Sequence, residues 1–599
     1  MGRTFVWEFP VPPEVIWPIL ADTARINEAA RLPKHEIIET PREDGSVLFE
    51  GRARIGPFPL RWRETPVNWV ANRWFEHCRT FQGGPLRFLC AKLVLTRTAY
   101  GSRGEYTIEA AAANVLGRIM LATRFFESAG RTFGALAADA ARFVAGESPA
   151  PFAYAAPEVS ASVRQRVADL QAAIEASGHG HGLAGRLADL VLTAQEVDLS
   201  RMRPLRLARD WQVGEREVIE LCLQAARSGL LDLRWDLLCP RCRVAKDTVT
   251  ALDRLPGGAH CGTCNIDYDR EFSRNVELSF TPSPAVRPLA TGEYCLFGPM
   301  STPHIWLHLT LAPGQTRTVE VDLPAGAYRL RTLEPGPESE LDWTAGGFPE
   351  VILEADKIIT GPPAAAGHAT LTNRSGRELT AVVEELRWVR DALTADRVTA
   401  LQTFRDLFSD QVLRPGDEVS VRHMAFMFTD LRGSTALYTR IGDATAYHLV
   451  REHFAFLAAQ VRAHNGAIVK TIGDAIMAAF GDPADALRAA LAIQNGVRAF
   501  NEKTGKQERT GEDALVIKMG LHHGPSIAVN LNERLDYFGS TVNMAARVQA
   551  QSRGGDIVLS RALADDPAVQ PLLDGYKVSS ESFSLKGFAE PVTLLRLEP

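Results

Sequence analysis

A chain of 599 residues is about four times the ~150-residue length expected of one domain, so several separate cores are expected. With 46% hydrophobic and 23% charged residues, the composition excludes a mainly disordered or fibrous protein. A net charge of −6 gives no bulk attraction for polyanions, so neither nucleic acid nor an anionic membrane is an expected partner.

The opening MGRTFVWEFPVPPEV has no basic segment leading into an apolar one, and no stretch reaches the ~18 uninterrupted apolar residues of a membrane span. Four of the eight cysteines fall in two CxxC pairs, which favours a metal site over a secreted disulfide framework. The expectation is a cytoplasmic, multidomain α+β protein.

Residues 1–150 read as one α+β unit. A helical stretch, PPEVIWPILADTARINEAAR, is followed by β-rich runs: SVLFEGRARI, LRWRETPVNWV, RWFEHCRTF, AKLVLTRTA and EYTIEAAA. Ile119, Ala122, Phe126 and Ala129 at helical spacing predict one long helix over 116–144. Strands closed by a long C-terminal helix, with the VPPEVIWPILADTARIN opening and the WRETPVNWV strand, resemble the START-like, helix-grip family. That resemblance implies a space between sheet and helix, which either takes an apolar small-molecule ligand or is filled by the packed core.

A Pro/Ala linker, GESPAPFAYAAPEV, leads into residues 158–236, a helical segment ending in two helices and a strand with a winged-helix outline. The mixed charge of EREVIELCLQAARSG favours a structural or interaction role over DNA binding. Residues 237–275 carry Cys239, Cys242, Cys261 and Cys264 as C-x2-C-x18-C-x2-C, the spacing of a zinc ribbon in which four thiolates close the sphere of one structural Zn²⁺. His260, beside Cys261, reads as a bystander. Short runs between Gly/Pro turns over 276–390 predict a β-sandwich. A helical connector, 391–420, follows; Val398, Leu401, Phe404 and Leu407 are spaced to transmit a change in helix pairing.

Residues 421–599 carry the chemistry. HMAFMFTDLRGSTALY is a strand ending at Asp430. A helix with Val450, Phe454, Leu457 and Val461 on one face follows it, and AIVKTIGDAIMAAF is strand, tight turn, strand with Asp474 in the turn. A second helix and the strand LVIKMGLHHG complete a βαββαβ order, the ferredoxin-like arrangement. Two carboxylates at one sheet edge, with substrate phosphate oxygens, are a usual way to hold Mg²⁺. His448, His453, His464, His522 and His523 are scattered and read as structural.

The motifs FTDLRGST, VKTIGDAIMAAF, RLDYFGSTVNMAAR and FSLKGF resemble those of the catalytic domain of class III nucleotidyl cyclases. The resemblance implies that Asp430 and Asp474, with the Leu431 carbonyl, bind two Mg²⁺ or Mn²⁺ ions per active site. It implies that Lys470 and Asp536 read the purine, that Asn543 and Arg547 orient the ribose and meet the transition state, and that Lys586 holds the terminal phosphates. Lys470 is an obligate donor and ionised Asp536 an obligate acceptor, which matches the N1 and C6-amine edge of adenine and points to ATP. The family places the metal-binding and nucleotide-reading side chains on different subunits, which implies a homodimer. The reading is an adenylate cyclase, forming 3′,5′-cyclic AMP and pyrophosphate, regulated by its N-terminal domains. A guanylate cyclase and a non-enzymatic zinc-ribbon/winged-helix regulatory scaffold are the alternatives.

Overall fold

The computed structural model describes residues 1–42, 46–55, 58–290, 292–295, 298–387, 390–503, 514–588 and 590–599. In the N-terminal unit, strands Gly2–Phe9, Gly101–Ala112, Leu86–Thr98 and Trp74–Phe81 pair antiparallel in that spatial order. The helix Phe125–Val144 packs Phe126, Leu136, Ala137 and Ala140 towards them. The single helix expected over 116–144 is two, Val115–Ala122 and Phe125–Val144, because Thr123 leaves helical geometry at φ −104°, ψ −92°. The run 60–70 is likewise split into Phe58–Glu64 and Asn68–Val70, with Pro66, which has no amide proton for a ladder, between them.

Between sheet and helix there remains a cavity of about 40 Å³, lined by Trp7, Phe75, His77, Tyr106, Phe133 and Leu136 among others. That is room for a few water molecules between the aromatic side chains. Cys78 and Cys90, opposite each other on adjacent strands, form a disulfide that the cysteine pattern did not signal.

The sandwich packs the sheet of Ile305–Leu311, Leu379–Glu385, Gly326–Thr332 and Glu338–Trp343 on a second, four-stranded sheet around Leu307, Leu309, Tyr328, Phe348 and Leu371. Its first sheet continues into the N-terminal one through Asn68–Val70, where Trp69 stacks on His308 at 4.3 Å. The stretch Val276–Pro282, expected to open the sandwich, instead pairs with Leu231–Leu238. With Ala245–Val249 these strands make a three-stranded sheet beside the helices Pro204–Trp211 and Glu215–Ser228.

The connector differs from the expected pairing helix. It forms two short helices, Ala395–Thr399 and Gln402–Leu407, and its apolar stripe is spent within the chain. Val398 and Phe404 are fully buried and Leu401 and Leu407 partly so, in one core with the helical module. Trp235 meets Phe404 edge-on at 5.9 Å.

The C-terminal domain runs β1 (Glu418–Leu431), α1 (Ser434–Ile441), α2 (Asp443–Ala463), β2 (Gly466–Ile472), β3 (Ala475–Phe480), α3 (Pro483–Lys503), β4 (Ile517–Leu531), β5 (Arg534–Phe538), α4 (Ser540–Ala550), β6 (Ile557–Ser560), β7 (Lys577–Phe583) and β8 (Val592–Glu598). The sheet order β2-β3-β1-β4, antiparallel throughout, is that of the expected βαββαβ unit, extended by β6, β8 and β7. Strand β1 is apolar on both sides because both are covered. Ala425, Met427 and Leu431 face the core under α2 and α3, whereas Met424, Phe426 and Phe428 join the core of the helical module and connector. On α2 the buried face is Ala446, Leu449, His453, Leu457 and Val461, rotated from the expected one so that Val450 and Phe454 lie at its margin.

Candidate active site and cysteine cluster

Asp430 stands near the end of β1 and Asp474 in the turn between β2 and β3. The β1–β3 pairing of Phe428 with Met477 brings these two ends together. Gly473 makes the turn possible, since its φ of +64° lies in the left-handed region. Burial, and then the neighbouring Asp474 carboxylate, raise the Asp430 carboxyl above its ordinary value. Burial, with Asp474 close by, likewise pushes the Tyr438 hydroxyl up. Asp474 Oδ2 is buried and has no hydrogen-bond partner among the described residues. Two adjoining carboxylates, one with an orphaned buried oxygen, are a hard-oxygen donor set whose chemistry fits Mg²⁺ or Mn²⁺. The buried Leu431 ends the same strand.

Lys470, on β2, donates from Nζ to Asp536 Oδ2 of β5 at 2.7 Å, and Asp536 Oδ1 accepts the Tyr537 amide at 2.7 Å. Asp536 is 6% exposed. The structure thus brings Lys470 and Asp536 together, as well as Asp430 and Asp474. Asn543, Arg547 and Lys586 are exposed. The first two lie on α4, which presses on β4 where Gly520 leaves no room for a side chain: a Cβ there would stand 2.1 Å from the Gln549 amide nitrogen. Exposed apolar residues Ile472, at the end of β2, and Phe538, at the end of β5, are on the strands that carry Lys470 and Asp536, and the exposed Leu531 ends β4, which pairs with β5.

The connector touches these elements directly. Thr399 Oγ1 and Tyr537 Oη are 3.1 Å apart, and Arg405 donates to the Leu535 carbonyl at 2.9 Å, on either side of Asp536. His453 is fully buried on α2 with neither ring nitrogen partnered among the described residues, and burial lowers its pKa to about 4. His522 donates to or accepts from Ser560 Oγ at 2.7 Å.

The four cysteines of the two CxxC pairs are buried, with every sulfur within 4.8 Å of the others. Cys242 and Cys261 sulfurs are 3.8 Å apart. In both knuckles a backbone amide points at the first sulfur, Arg241 to Cys239 and Cys264 to Cys261, each at 3.4 Å. The residue after each second cysteine, Arg243 or Asn265, is left-handed, at φ 59° and 45°. Four converging thiols with no disulfide among them suit a tetrahedral S₄ ion such as Zn²⁺. The cluster also sits at a junction. Thr263 donates to Glu39 of the N-terminal sheet at 2.9 Å, and the Arg241 carbonyl pairs with His304 beside the sandwich at 2.9 Å. His260 is turned away, paired with Asp267 at 2.9 Å.

Among known proteins, residues 417–582 match the family model described as the adenylate and guanylate cyclase catalytic domain. Residues 167–295 match a family of unknown function. The chain is 32% identical over 173 residues to an adenylate cyclase of Lachancea kluyveri, which is 26% of this chain and 9% of that protein. It is 31% identical over 201 residues to an adenylate cyclase of Mycosarcoma maydis, 29% of this chain and 8% of that one. It is 26% identical over 188 residues to an adenylate cyclase of Anabaena cylindrica, 30% of this chain and 37% of that one. The chain therefore spans less than two fifths of the length of each relative. The C-terminal domain is a class III adenylate/guanylate cyclase catalytic domain. Among the described residues no helix is long and apolar enough to cross a membrane.

Proposed function

We propose that this chain is an adenylate cyclase whose active sites are shared between two copies. The observation that carries the reading is the coexistence in one domain of two separate half-sites: the Asp430–Asp474 pair with its orphaned buried oxygen, and the preformed Lys470–Asp536 pair. Lys470 donates to adenine N1 and Asp536 accepts from the C6 amine, so ATP separates the pair without leaving either group unsatisfied. Guanine reverses both polarities, which costs two buried polar contacts. Asn543 orients the ribose, and Arg547 meets the charge that grows on the α-phosphate oxygens with a planar, bidentate donor. Lys586 holds the terminal phosphates.

Two divalent ions held by Asp430, Asp474 and the Leu431 carbonyl supply, when bound, Lewis-acid activation of the ribose 3′-hydroxyl and neutralisation of the pyrophosphate that leaves. The exposure of Asn543, Arg547 and Lys586, together with the exposed Ile472, Leu531 and Phe538, supports a second copy as the missing wall. Each copy carries both half-sites, so a two-fold dimer contains two complete sites. The upstream units, held against this domain through the connector, act as its regulators.

The test is nucleotide turnover by the purified full chain with Mn²⁺. Cyclic AMP from ATP, with little product from GTP, is the expected result; a GTP preference favours the guanylate cyclase reading instead. Asp474→Ala and Arg547→Ala chains, inactive alone, regain activity when mixed. Silence of a mixture in which heterodimers demonstrably form rejects the shared site.

A further inference from the structure

The loop between the helices Ala161–Ala176 and Ala184–Thr193 reads Ser-Gly-His-Gly-His-Gly over 177–182. It brings two imidazoles onto one carboxylate oxygen of the helix Glu215–Ser228. His181 Nε2 lies 2.9 Å, and His179 Nδ1 3.8 Å, from Glu220 Oε2. A hydrogen bond accounts for His181, but 3.8 Å is too long for one, so the convergence of His179 has no explanation in hydrogen bonding. The three ligand atoms lie within 4.8 Å of one another. Donors ~2.0–2.1 Å from a tetrahedral ion stand about 3.3 Å apart, and the two observed separations straddle that value.

Glu220 is held as a ligand would be. Its Oε1 accepts from Arg216 Nε at 2.9 Å and from Thr403 Oγ1 at 3.0 Å, which leaves Oε2 to face the histidines. Anchoring one oxygen of a ligating carboxylate by outer hydrogen bonds is how metal sites fix its orientation. Glu220 is buried while both rings remain partly exposed, so an ion can enter from solvent and keep a position for water.

The backbone is also committed to this geometry. His181 adopts φ 54°, a left-handed conformation that is unfavourable for a residue other than glycine. A Cβ on Gly180 would stand 2.3 Å from Glu175 Oε2, and that carboxylate accepts the amides of Gly182 and Ala184 at 3.1 and 2.8 Å. The strain persists at a residue whose side chain points at a buried carboxylate, as strained residues at functional sites do.

We infer that His179, His181 and Glu220 bind a divalent first-row transition ion of the Zn²⁺ type, at a site separate from the cysteine cluster and from the carboxylates of the catalytic domain. Two imidazole nitrogens and one carboxylate oxygen suit such an ion, and not Mg²⁺ or Ca²⁺, which prefer all-oxygen shells. Because Thr403 belongs to the connector, the ion ties the loop and its helix to the segment that enters the catalytic domain.

Co²⁺ titration of the full chain tests this, since thiolate coordination gives intense near-ultraviolet charge transfer and an N₂O site gives only weak visible bands. The native chain is expected to take up one more equivalent of Co²⁺ than the His179→Ala/His181→Ala chain, with the thiolate band equal in both, and Zn²⁺ should displace it. Glu220→Gln should weaken that uptake at least tenfold. Equal uptake and affinity in native and variant chains overturn the inference. If the double variant loses the thiolate band and so has not folded, His179→Ala alone decides on the same reading, because its ring makes no hydrogen bond to Glu220.

Discussion

The two faces of the catalytic sheet are closed by different means. One lies under the domain's own helices α2 and α3, through Ala425, Met427 and Leu431. The other, through Met424, Phe426 and Phe428, belongs to one core with α4, the connector and residues more than a hundred positions upstream, among them Leu221, Trp235 and Leu278. The first arrangement would survive in an isolated domain; the second would not. The catalytic domain is therefore joined to the helical module by a shared hydrophobic core, and the connector lies inside that core.

The sharpest division falls between the two polar pairs. Asp474 sits beside Tyr438 of α1 and His453 of α2, whereas Asp536 lies between residues that the connector touches. Asp474→Ala should lower cyclase turnover by about 10³-fold, equal to about 4 kcal/mol of transition-state stabilisation. Its thermal midpoint should hardly move, because the variant also removes an unpartnered buried oxygen. A variant with native turnover would take the chemistry away from this edge.

Acid probes whether the halves unfold as one. Burial lowers His77, His304 and His308, all upstream of the catalytic domain, from 6.5 to about 3. The unfolded chain takes up a proton at each of them below pH 6.5, which the folded chain refuses until about pH 3. Stability is thus unaffected by these groups above pH 6.5 and falls as pH drops from 6.5 towards 3. By pH 5.5 the three together cost about 4 kcal/mol. Urea midpoints between pH 7.5 and 5.5, read in both halves, should fall in step. A catalytic domain that keeps its midpoint while the upstream half loses stability would break the shared-core description.

What the sequence made legible follows from locality. The order of the catalytic strands follows from local periodicity, and the four cysteines converge as their spacing implies. The two carboxylates and the Lys470–Asp536 pair, whose members are 66 positions apart, were legible through motifs that resemble those of the cyclase family. Long-range contacts outside such motifs were not legible. The stripe of Val398, Leu401, Phe404 and Leu407 looks the same whether it meets another chain's helix or Trp235 of its own. Val276–Pro282 has the composition of a sandwich strand, and only its partner, Leu231–Leu238, places it elsewhere. His179 and His181 gave no signal because Glu220 is some forty positions away, and a ligand set split in that way carries no spacing rule.

Cavity mutations on each side measure the two faces against one another. Phe404→Ala, in the shared core, and Leu487→Ala, under α3, remove fully buried side chains and should each cost about 3 kcal/mol. The difference is in what they uncouple. Phe404→Ala should lower the midpoints of both halves, read by probes in each, whereas Leu487→Ala should act first on the catalytic domain. Loss of stability in the upstream half alone after Phe404→Ala would mean that the second face is covered without being coupled.

The finest cut is Tyr537→Phe. It deletes one hydroxyl, from which Thr399 is 3.1 Å away, and leaves the Tyr537 ring against Phe426 at 5.4 Å. Thr399 keeps its bond to the Ala395 carbonyl at 2.7 Å, so no buried donor is orphaned. The stability cost should be about 1 kcal/mol or less by urea unfolding. Turnover is the more telling measurement, because Tyr537 adjoins Asp536 and its amide donates to that carboxylate. If the connector restrains the strand that carries Asp536, KM for ATP should shift while stability barely changes. Unchanged KM and turnover would show that the contact holds the cover in place and does not act on the site.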